Sequence, residues 1–182
     1  AYARSKAEGE NAVLAACPQA HILRPSIVVG PEDDFFNRFA TMAQLAPALP
    51  LIGGGLTRYQ PVGVFDVAQA VAACLAGAPS GIYELGGPQI YSFRELMELM
   101  LEKIGKTRLL VPLPFAAAKM LSQVTRFLPN PPLTPDQVIL LRSDNIVGQN
   151  IGDLAALGVE PTPIAALLDS YLGRYRGASK TV

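Results

Sequence analysis

Residues 2–31 read YARSKAEGENAVLAACPQAHILRPSIVVGP and contain a helix signal followed directly by a strand signal. The alanine-rich stretch is closed by Pro18, which predicts a helix over Tyr2–Ala16. The β-branched run that follows lies between chain breakers and predicts a strand over Ala20–Val29. A helix that leads into an apolar strand is the repeating unit of an α/β fold.

The rest of the chain continues this alternation. Helices are predicted over Phe35–Leu45, Val67–Ala76, Phe93–Ile104, Phe115–Leu128, Pro135–Leu141 and Ile164–Tyr175. Strands are predicted over Leu49–Ile52, Tyr59–Val62, Gly81–Leu85 and Leu109–Val111. Capping boxes are predicted for Asp66 with Gln69, Ser92 with Glu95, and Thr134 with Gln137. The chain is therefore expected to be α/β throughout.

The first helix carries a pair of residues suited to proton transfer. Tyr2 and Lys6 are four residues apart, so they share one face of the helix. The lysine charge favours the ionised form of the phenol and lowers its pKa. Tyr2 could then act as a general acid or base.

Four segments occur in a particular order along the chain. They are Tyr2–Lys6 (Y-x-x-x-K), Leu23–Pro31 (LRPSIVVGP), Val62–Ala68 (VGVFDVA) and Gly81–Gly87 (GIYELGG). In order and spacing they resemble the corresponding motifs of the extended short-chain dehydrogenase/reductase family. The resemblance implies a doubly wound, Rossmann-like cofactor domain with a small α/β substrate lobe.

The same resemblance implies roles for individual residues. Tyr2 matches the proton donor or acceptor of the family, and Lys6 matches the residue that holds the nicotinamide ribose. Pro25, Ser26 and Val28 match the turn whose backbone meets the nicotinamide carboxamide. NADP(H) or NAD(H) is accordingly the expected cofactor of the intact protein.

Further segments resemble an atypical branch of this family. Residues 31–40, 60–62 and 133–147 are similar to the branch that contains the nucleotide-binding accessory subunit of respiratory complex I. This likeness implies a binding and assembly component of that complex. The alternative is an active NAD(P)-dependent epimerase, dehydratase or reductase acting on a small or nucleotide-linked substrate. Tyr2 and Lys6 are compatible with both.

The glycine-rich turn that binds pyrophosphate at a helix N-terminus is absent from the sequence. Residues 53–55 and 86–88 are expected to be plain turns, since neither lies between a strand and a convincing helix. The chain is therefore expected to be the C-terminal half of its protein, to need the N-terminal half of the cofactor domain as a partner, and not to bind the cofactor alone.

The resemblance also divides the chain. Residues 1–31 and 63–88 are expected to complete the cofactor domain. Residues 32–62 and 89–175 are expected to form the substrate or docking lobe, and 176–182 a tail. The apolar segment Leu109–Leu133 is either a docking surface, for a complex I subunit or a membrane surface, or a core-packing helix.

Composition bounds the partners and the location. The formal net charge is zero and only 16% of residues are charged, so nucleic acid is not expected as a partner. The uncharged stretch over 39–57 is broken by prolines and glycines, which argues against a membrane span. A cytoplasmic location is expected, and the resemblance adds a peripheral position at the inner membrane.

Several polar residues invite functional hypotheses. Arg58 and Arg142 are weak candidates for contacting a phosphorylated substrate. The acidic residues 32–34 are expected to complement a helix dipole rather than to bind a metal. Cys17 and Cys74 lack metal-ligand spacing and are expected to be buried free thiols, and His21 is expected to be structural.

Overall fold

The computed structural model describes residues 2–125, 138–139, 141–148 and 151–176. The helices are α1 (Tyr2–Ala16), α2 (Asp34–Leu45), α3 (Val64–Leu75), α4 (Phe93–Lys103), α5 (Phe115–Thr125) and α6 (Ile164–Tyr171). The strands are β1 (His21–Pro25), β2 (Val28–Val29), β3 (Ala48–Ile52), β4 (Arg58–Tyr59), β5 (Val62–Gly63), β6 (Gly81–Leu85), β7 (Tyr91–Ser92) and β8 (Leu109–Leu113). The α/β class predicted from the sequence is confirmed.

The strands pair mainly in parallel. Within the described residues, β1 pairs with β6, β2 with β5 and β3 with β8, all in parallel, and β4 pairs antiparallel with β7. The β1–β6 register ends on Pro25 opposite Leu85. The carboxyl ends of these two strands therefore lie side by side, where α/β sheets usually present their binding sites.

Two strands predicted as continuous are interrupted, so those predictions were wrong in extent. The segment Ala20–Val29 divides into β1 and β2, and Tyr59–Val62 divides into β4 and β5. The first break, at residues 26–27, directly follows Pro25, and the second, at residues 60–61, contains Pro61. Neither proline has an N–H to donate to a ladder. After each break the chain joins a different neighbour, because β2 and β5 pair with each other.

Among the described residues the core forms three apolar clusters, of which the smallest joins Ile52, Ala118 and Val138 and the other two organise most of the fold. The larger one joins α2, β3, α4 and α6, and its fully buried members include Phe36, Leu49, Leu96, Met97 and Leu168. The smaller one lies around β6 and joins it to α3 and to residues 154–159. Residues 154–159 fall within the range expected for the substrate lobe, and they pack against the strand expected in the cofactor domain.

The predicted capping boxes have different outcomes. That of Ser92 and Glu95 is confirmed at the start of α4: the Glu95 amide donates to Ser92 Oγ at 3.2 Å and the Ser92 amide donates to Glu95 Oε2 at 2.6 Å. Hydrogen bonds that the Ser92 amide and hydroxyl donate to Glu95 Oε2 lower the pKa of the Glu95 carboxyl below its ordinary value. The boxes of Asp66 and of Thr134 do not share this outcome. Thr134 and Gln137 lie outside the described residues.

The predicted cap at Asp66 was wrong. The helix begins earlier, at Val64, and Gly63 is its N-cap residue. Asp66 is instead buried, and its carboxylate accepts hydrogen bonds from the Thr162 amide at 2.9 Å and from the Thr162 hydroxyl at 2.8 Å. A short-range pattern suggested a cap, but the carboxylate serves a residue 96 positions away in the chain.

The cysteine prediction was wrong for one residue. Cys17 is exposed, because it follows the last residue of α1 in a turn at the surface, and Cys74 is partly buried. Both are free thiols. His21 has a structural contact, since its Nε2 lies 2.9 Å from the Ala78 carbonyl oxygen.

Candidate functional site

A cleft of about 200 Å³ lies at the carboxyl ends of β1 and β6. Its walls are Arg24, Pro25, Ser26, Glu84, Leu85 and residues 144–147. Drug-sized ligands usually occupy pockets of roughly 300–1,000 Å³. The cleft therefore has room for one end of a dinucleotide rather than for the whole molecule.

One wall of the cleft is a crossing segment, residues 141–148, here called the strap. Its backbone is held at both ends: the Thr57 hydroxyl donates to the Leu141 carbonyl at 2.5 Å, and the Gly148 amide donates to Glu84 Oε2 at 2.8 Å. In the middle, the Asn145 carbonyl accepts from the Gln60 amide at 3.0 Å. The strap is thus anchored to β4, to β6 and to the chain between β4 and β5.

The Gln60 side chain links the strap to Gly87 through two hydrogen bonds. Its Nε2 donates to the Gly87 carbonyl at 2.8 Å, and its Oε1 accepts from the Val147 amide at 3.0 Å. Gly87 is needed for this close approach, since a Cβ atom there would stand 2.1 Å from the Pro61 carbonyl oxygen. This explains one of the two glycine turns. Sequence reasoning quoted Gln60 only as part of a family segment and missed its contacts.

Asp144 is held by Arg58. The Arg58 amide donates to Asp144 Oδ1 at 2.9 Å and its Nε donates to Oδ2 at 2.8 Å. These bonds lower the pKa of the Asp144 carboxyl below its ordinary value. Arg58 was a candidate for substrate contact, and the structure places it against the outer side of the strap, in an ion pair. Arg142, the other candidate, lies over the Phe115 ring at 5.3 Å from the centroid and does not line the cleft.

The predicted nicotinamide contacts lie at different distances from the cleft. Pro25 and Ser26 form part of its wall. The Ser26 amide donates to the Leu85 carbonyl at 2.9 Å, and its hydroxyl donates to the Asn145 carbonyl at 2.8 Å. Val28 lies beyond the wall in β2, paired with Val62. The structure therefore brings two of the three together at the cleft.

The helix that carries Tyr2 and Lys6 lies on the surface. The backbone of Tyr2 begins α1, and Lys6 is exposed. From residue 4 to residue 16 every side chain is exposed except Glu10 and Leu14, which are half-buried. Glu10 is held by Arg24 of β1, whose Nε lies 3.0 Å from Glu10 Oε1. The Tyr–Lys pair thus sits on a helix that the described residues leave largely uncovered.

The residues present fit the nicotinamide end of a dinucleotide. The ionisable residues that line the cleft are Arg24, Glu84 and Asp144, and each is in an ion pair, Arg24 with Glu84 and Asp144 with Arg58. A wall of paired charges suits the reduced nicotinamide ring, which is uncharged and bears an amide. The glycines of residues 53–55 have φ of 62°, 74° and 77°, in a turn that leads into no helix, so they do not form a phosphate site.

Metal binding has no support in the geometry. Asp33 caps α2, accepting from the Phe36 amide at 2.5 Å, and its second oxygen accepts from the Tyr171 hydroxyl. Burial, and secondarily the Asp33 carboxylate, raises the pKa of the Tyr171 hydroxyl above its ordinary value. In the part of the chain that the structure describes, no three His, Cys, Asp or Glu side chains converge on a point where a metal could bind.

The chain is similar in sequence to subunits of mitochondrial NADH dehydrogenase. The chain is 37% identical to the NADH dehydrogenase [ubiquinone] 1 alpha subcomplex subunit 9 of Arabidopsis thaliana mitochondria, over 95% of this chain and 46% of the relative. It is 30% identical to the mitochondrial NADH-ubiquinone oxidoreductase 40 kDa subunit of Neurospora crassa, over 94% of this chain and 46% of the relative. The chain therefore spans about half the length of the curated relatives it matches. No family model matches it.

Solved structures show the same fold. A dTDP-glucose 4,6-dehydratase from Bacillus anthracis, in complex with NAD, superposes with a TM-score of 0.68 at 19% identity, over 96% of this chain and 51% of that one. At this identity the likeness concerns the fold alone. The chain therefore has the fold of about half of that dehydratase. Over about half of their length it is similar in sequence to subunits of mitochondrial NADH dehydrogenase and NADH-ubiquinone oxidoreductase.

Proposed function

We propose that the chain is half of an accessory subunit of respiratory complex I. The whole subunit holds NADP(H) or NAD(H) as a structural cofactor and turns nothing over. The observation that carries this proposal is the cleft, whose three ionisable residues are all paired within the protein. Such a wall offers a place for an uncharged ring and no free cation for a phosphorylated substrate.

The residues of this chain would hold the nicotinamide end. Lys6 would bind the ribose hydroxyls, and the turn at Pro25 and Ser26 would lie against the carboxamide. When bound, the cofactor can accept or donate a hydride, and Tyr2 is the group on this chain that could move a proton beside it. Pyrophosphate contacts belong to the other half of the protein, which we propose as the first partner of this chain.

A second surface fits docking into the complex. Leu109 and Val111 on β8 and Met120 and Val124 on α5 are exposed by 71%, 48%, 71% and 74%. Isolated exposed apolar residues are ordinary, but four on two consecutive elements, here together called the patch, favour a partner. In the described residues no helix is both long and apolar enough to cross a membrane. We therefore place this patch against complex I subunits at the membrane surface, in a peripheral position.

The test uses the intact subunit in the organism that makes it. Met120→Gln combined with Val124→Gln should remove the subunit from complex I on native gels, because it places polar groups in an apolar contact. Val71→Gln is the matched control, since Val71 is 43% exposed on α3, away from the patch. A double variant that still comigrates with complex I would contradict the docking proposal.

The enzyme hypothesis is favoured by one specific feature, the Tyr2–Lys6 pair four residues apart on α1. Tyr2→Phe separates the hypotheses. In an accessory subunit it should leave complex assembly and NADH:quinone activity near normal. In an enzyme it should lower turnover by about a hundredfold or more, the usual size of an acid–base contribution. Purified intact protein that converts a metabolite at ordinary enzyme rates, and migrates apart from complex I, would overturn the accessory proposal.

A further inference from the structure

Arg24 connects three elements around the cleft. Its Nε donates to Glu10 Oε1 at 3.0 Å and to Oε2 at 3.1 Å, and its Nη2 lies 2.5 Å from Oε2. Its Nη1 lies 3.5 Å from Glu84 Oε1 on β6. One guanidinium therefore links α1, β1 and β6. Arginine is suited to this role because its planar group holds a carboxylate at more than one point.

The connection continues across the cleft. The other carboxylate oxygen of Glu84, Oε2, accepts from the Gly148 amide of the strap at 2.8 Å. Glu10, Arg24 and Glu84 thus form a chain of charged contacts from α1 on one side to the strap on the other. Pro25 and Ser26, directly after Arg24, form the wall between them.

The position of Glu10 on α1 connects these charged contacts to the Tyr2–Lys6 pair. Residues 2, 6 and 10 recur every four positions, so they lie along one side of the helix. The helix has few other buried contacts, since Leu14 is the one further half-buried residue among 4–16. A contact that holds Glu10 therefore also sets the rotation of α1 about its axis, and with it the direction in which positions 2 and 6 face.

We infer that Glu10, Arg24 and Glu84 form a positioning clamp, which holds the Tyr2–Lys6 side of α1 in register with the cleft and so determines how tightly the nicotinamide end of the cofactor is held. This inference rests on the proposed function. None of the three residues needs to touch the cofactor. The clamp acts by orienting Lys6, and its loss should affect only the half of the cofactor that Lys6 contacts.

The experiment measures two affinities on the intact protein by titration calorimetry. NADPH contains the nicotinamide end, whereas adenosine 2′,5′-bisphosphate lacks both the nicotinamide ring and the ribose that carries it. Glu10→Gln should weaken NADPH binding by about threefold to fivefold and leave binding of the shorter ligand within about twofold, since the loss cannot exceed what the exposed ion pair contributes to holding α1. Glu8→Gln is the matched control, because Glu8 is exposed on the same helix and should change neither affinity.

A double-mutant cycle completes the test. If Glu10 and Arg24 act as one unit, Glu10→Gln should add no further loss of NADPH affinity once Arg24→Gln is present. Additive losses, equal losses for both ligands, or unchanged NADPH binding in Glu10→Gln would each overturn the clamp. An unmodified intact protein that binds neither ligand would instead overturn the proposed function, and the clamp with it.

Discussion

The region built on α2 and α4 and the region built on α1 differ in how completely they are packed. In the first, Phe36, Phe93, Met97 and Met100 are at most 1% exposed, and the Phe35 ring meets the Phe36 and Phe93 rings edge to face at 5.0 and 5.9 Å. In the second, nearly every side chain of the helix is exposed. Both are helices on parallel strands, so the difference lies in their neighbours.

The comparison shows which region is self-sufficient. The region built on α2 and α4 buries its phenylalanine and methionine side chains against other residues of this chain. The helix α1 instead shows a polar tether to β1, Glu10 to Arg24, and little apolar cover. Since the chain matches about half of its relatives' length, the uncovered helix is where we expect the other half to pack.

The largest predicted effect compares two phenylalanines. Phe36 is fully buried on α2, whereas Phe65 is 65% exposed on α3. Phe36→Ala should lower the free energy of unfolding by about 3–5 kcal/mol, because it leaves a cavity. Phe65→Ala should change it by less than about 0.5 kcal/mol. Urea unfolding measures both, and equal losses would show that the packed region is not the main source of stability.

Next in size is the contact between α3 and the segment that precedes α6. Asp66 on α3 accepts two hydrogen bonds from Thr162, which precedes α6. Asp66→Ala should cost about 2–3 kcal/mol of unfolding free energy, since a buried charged acceptor is lost and the Thr162 amide is left unpaired. Thr162→Val, which keeps the amide, should cost about 1 kcal/mol. If Asp66→Ala proves as mild as Thr162→Val, the amide contact contributes little.

A smaller effect is predicted within the packed region. The Tyr171 hydroxyl donates to Asp33, the N-cap residue of α2. Tyr171→Phe should lower the free energy of unfolding by about 1–2 kcal/mol, because it removes one bond to a carboxylate and keeps the ring. Tyr175→Phe, on the adjacent turn, is the control and should be near neutral. Identical urea midpoints for both variants would argue against a role of the hydroxyl.

The smallest effect concerns pH and the α1 tether. Hydrogen bonds from Arg24, opposed in part by desolvation, lower the pKa of the Glu10 carboxyl below its ordinary value, with Glu84 the other carboxylate facing Arg24. A carboxyl whose folded pKa is depressed stabilises the fold above its unfolded pKa, near 4.3, and loses this contribution as pH falls. The tether should be worth less than about 1 kcal/mol.

Hydrogen exchange of the α1 amides, expressed as protection factors, checks this prediction. Protection of α1 should fall between pH 5 and pH 3 by more than that of α4. Glu10→Gln should already show the low protection at pH 5 and remove most of the pH dependence. A helix whose protection is flat with pH in the unmodified chain would show that the tether does not hold it.

The sequence predicted most of the fold because most signals were local. Tyr2–Ala16 is helical from its alanine content, and the Ser92–Glu95 box operates within four residues. The errors came from long-range contacts. No local pattern around Asp66 indicates its hydrogen bonds to Thr162. Likewise, no local pattern around Pro25 indicates that β2 pairs with β5 rather than continuing β1.

The residues that line the cleft were predicted only in part, because some of them come together through contacts between distant parts of the sequence. Family resemblance named Pro25 and Ser26, and both line the cleft. Their contact with a cofactor stays a prediction. The strap was missed, because it reaches the cleft through Gln60 and Glu84, which lie far from it in sequence. Charged residues paired across such distances show no spacing pattern that could have revealed them.

The measurement that tests the account most directly is NADPH binding by two forms of the protein. We propose that the nucleotide site is divided between this chain and the other half of the protein, because the glycine-rich pyrophosphate turn is absent from these 182 residues. The intact protein should retain NADPH through gel filtration, whereas residues 1–182 alone should bind it with a Kd weaker than about 1 mM. A Kd in the low micromolar range for the isolated chain, about −8 kcal/mol, would contradict the divided site.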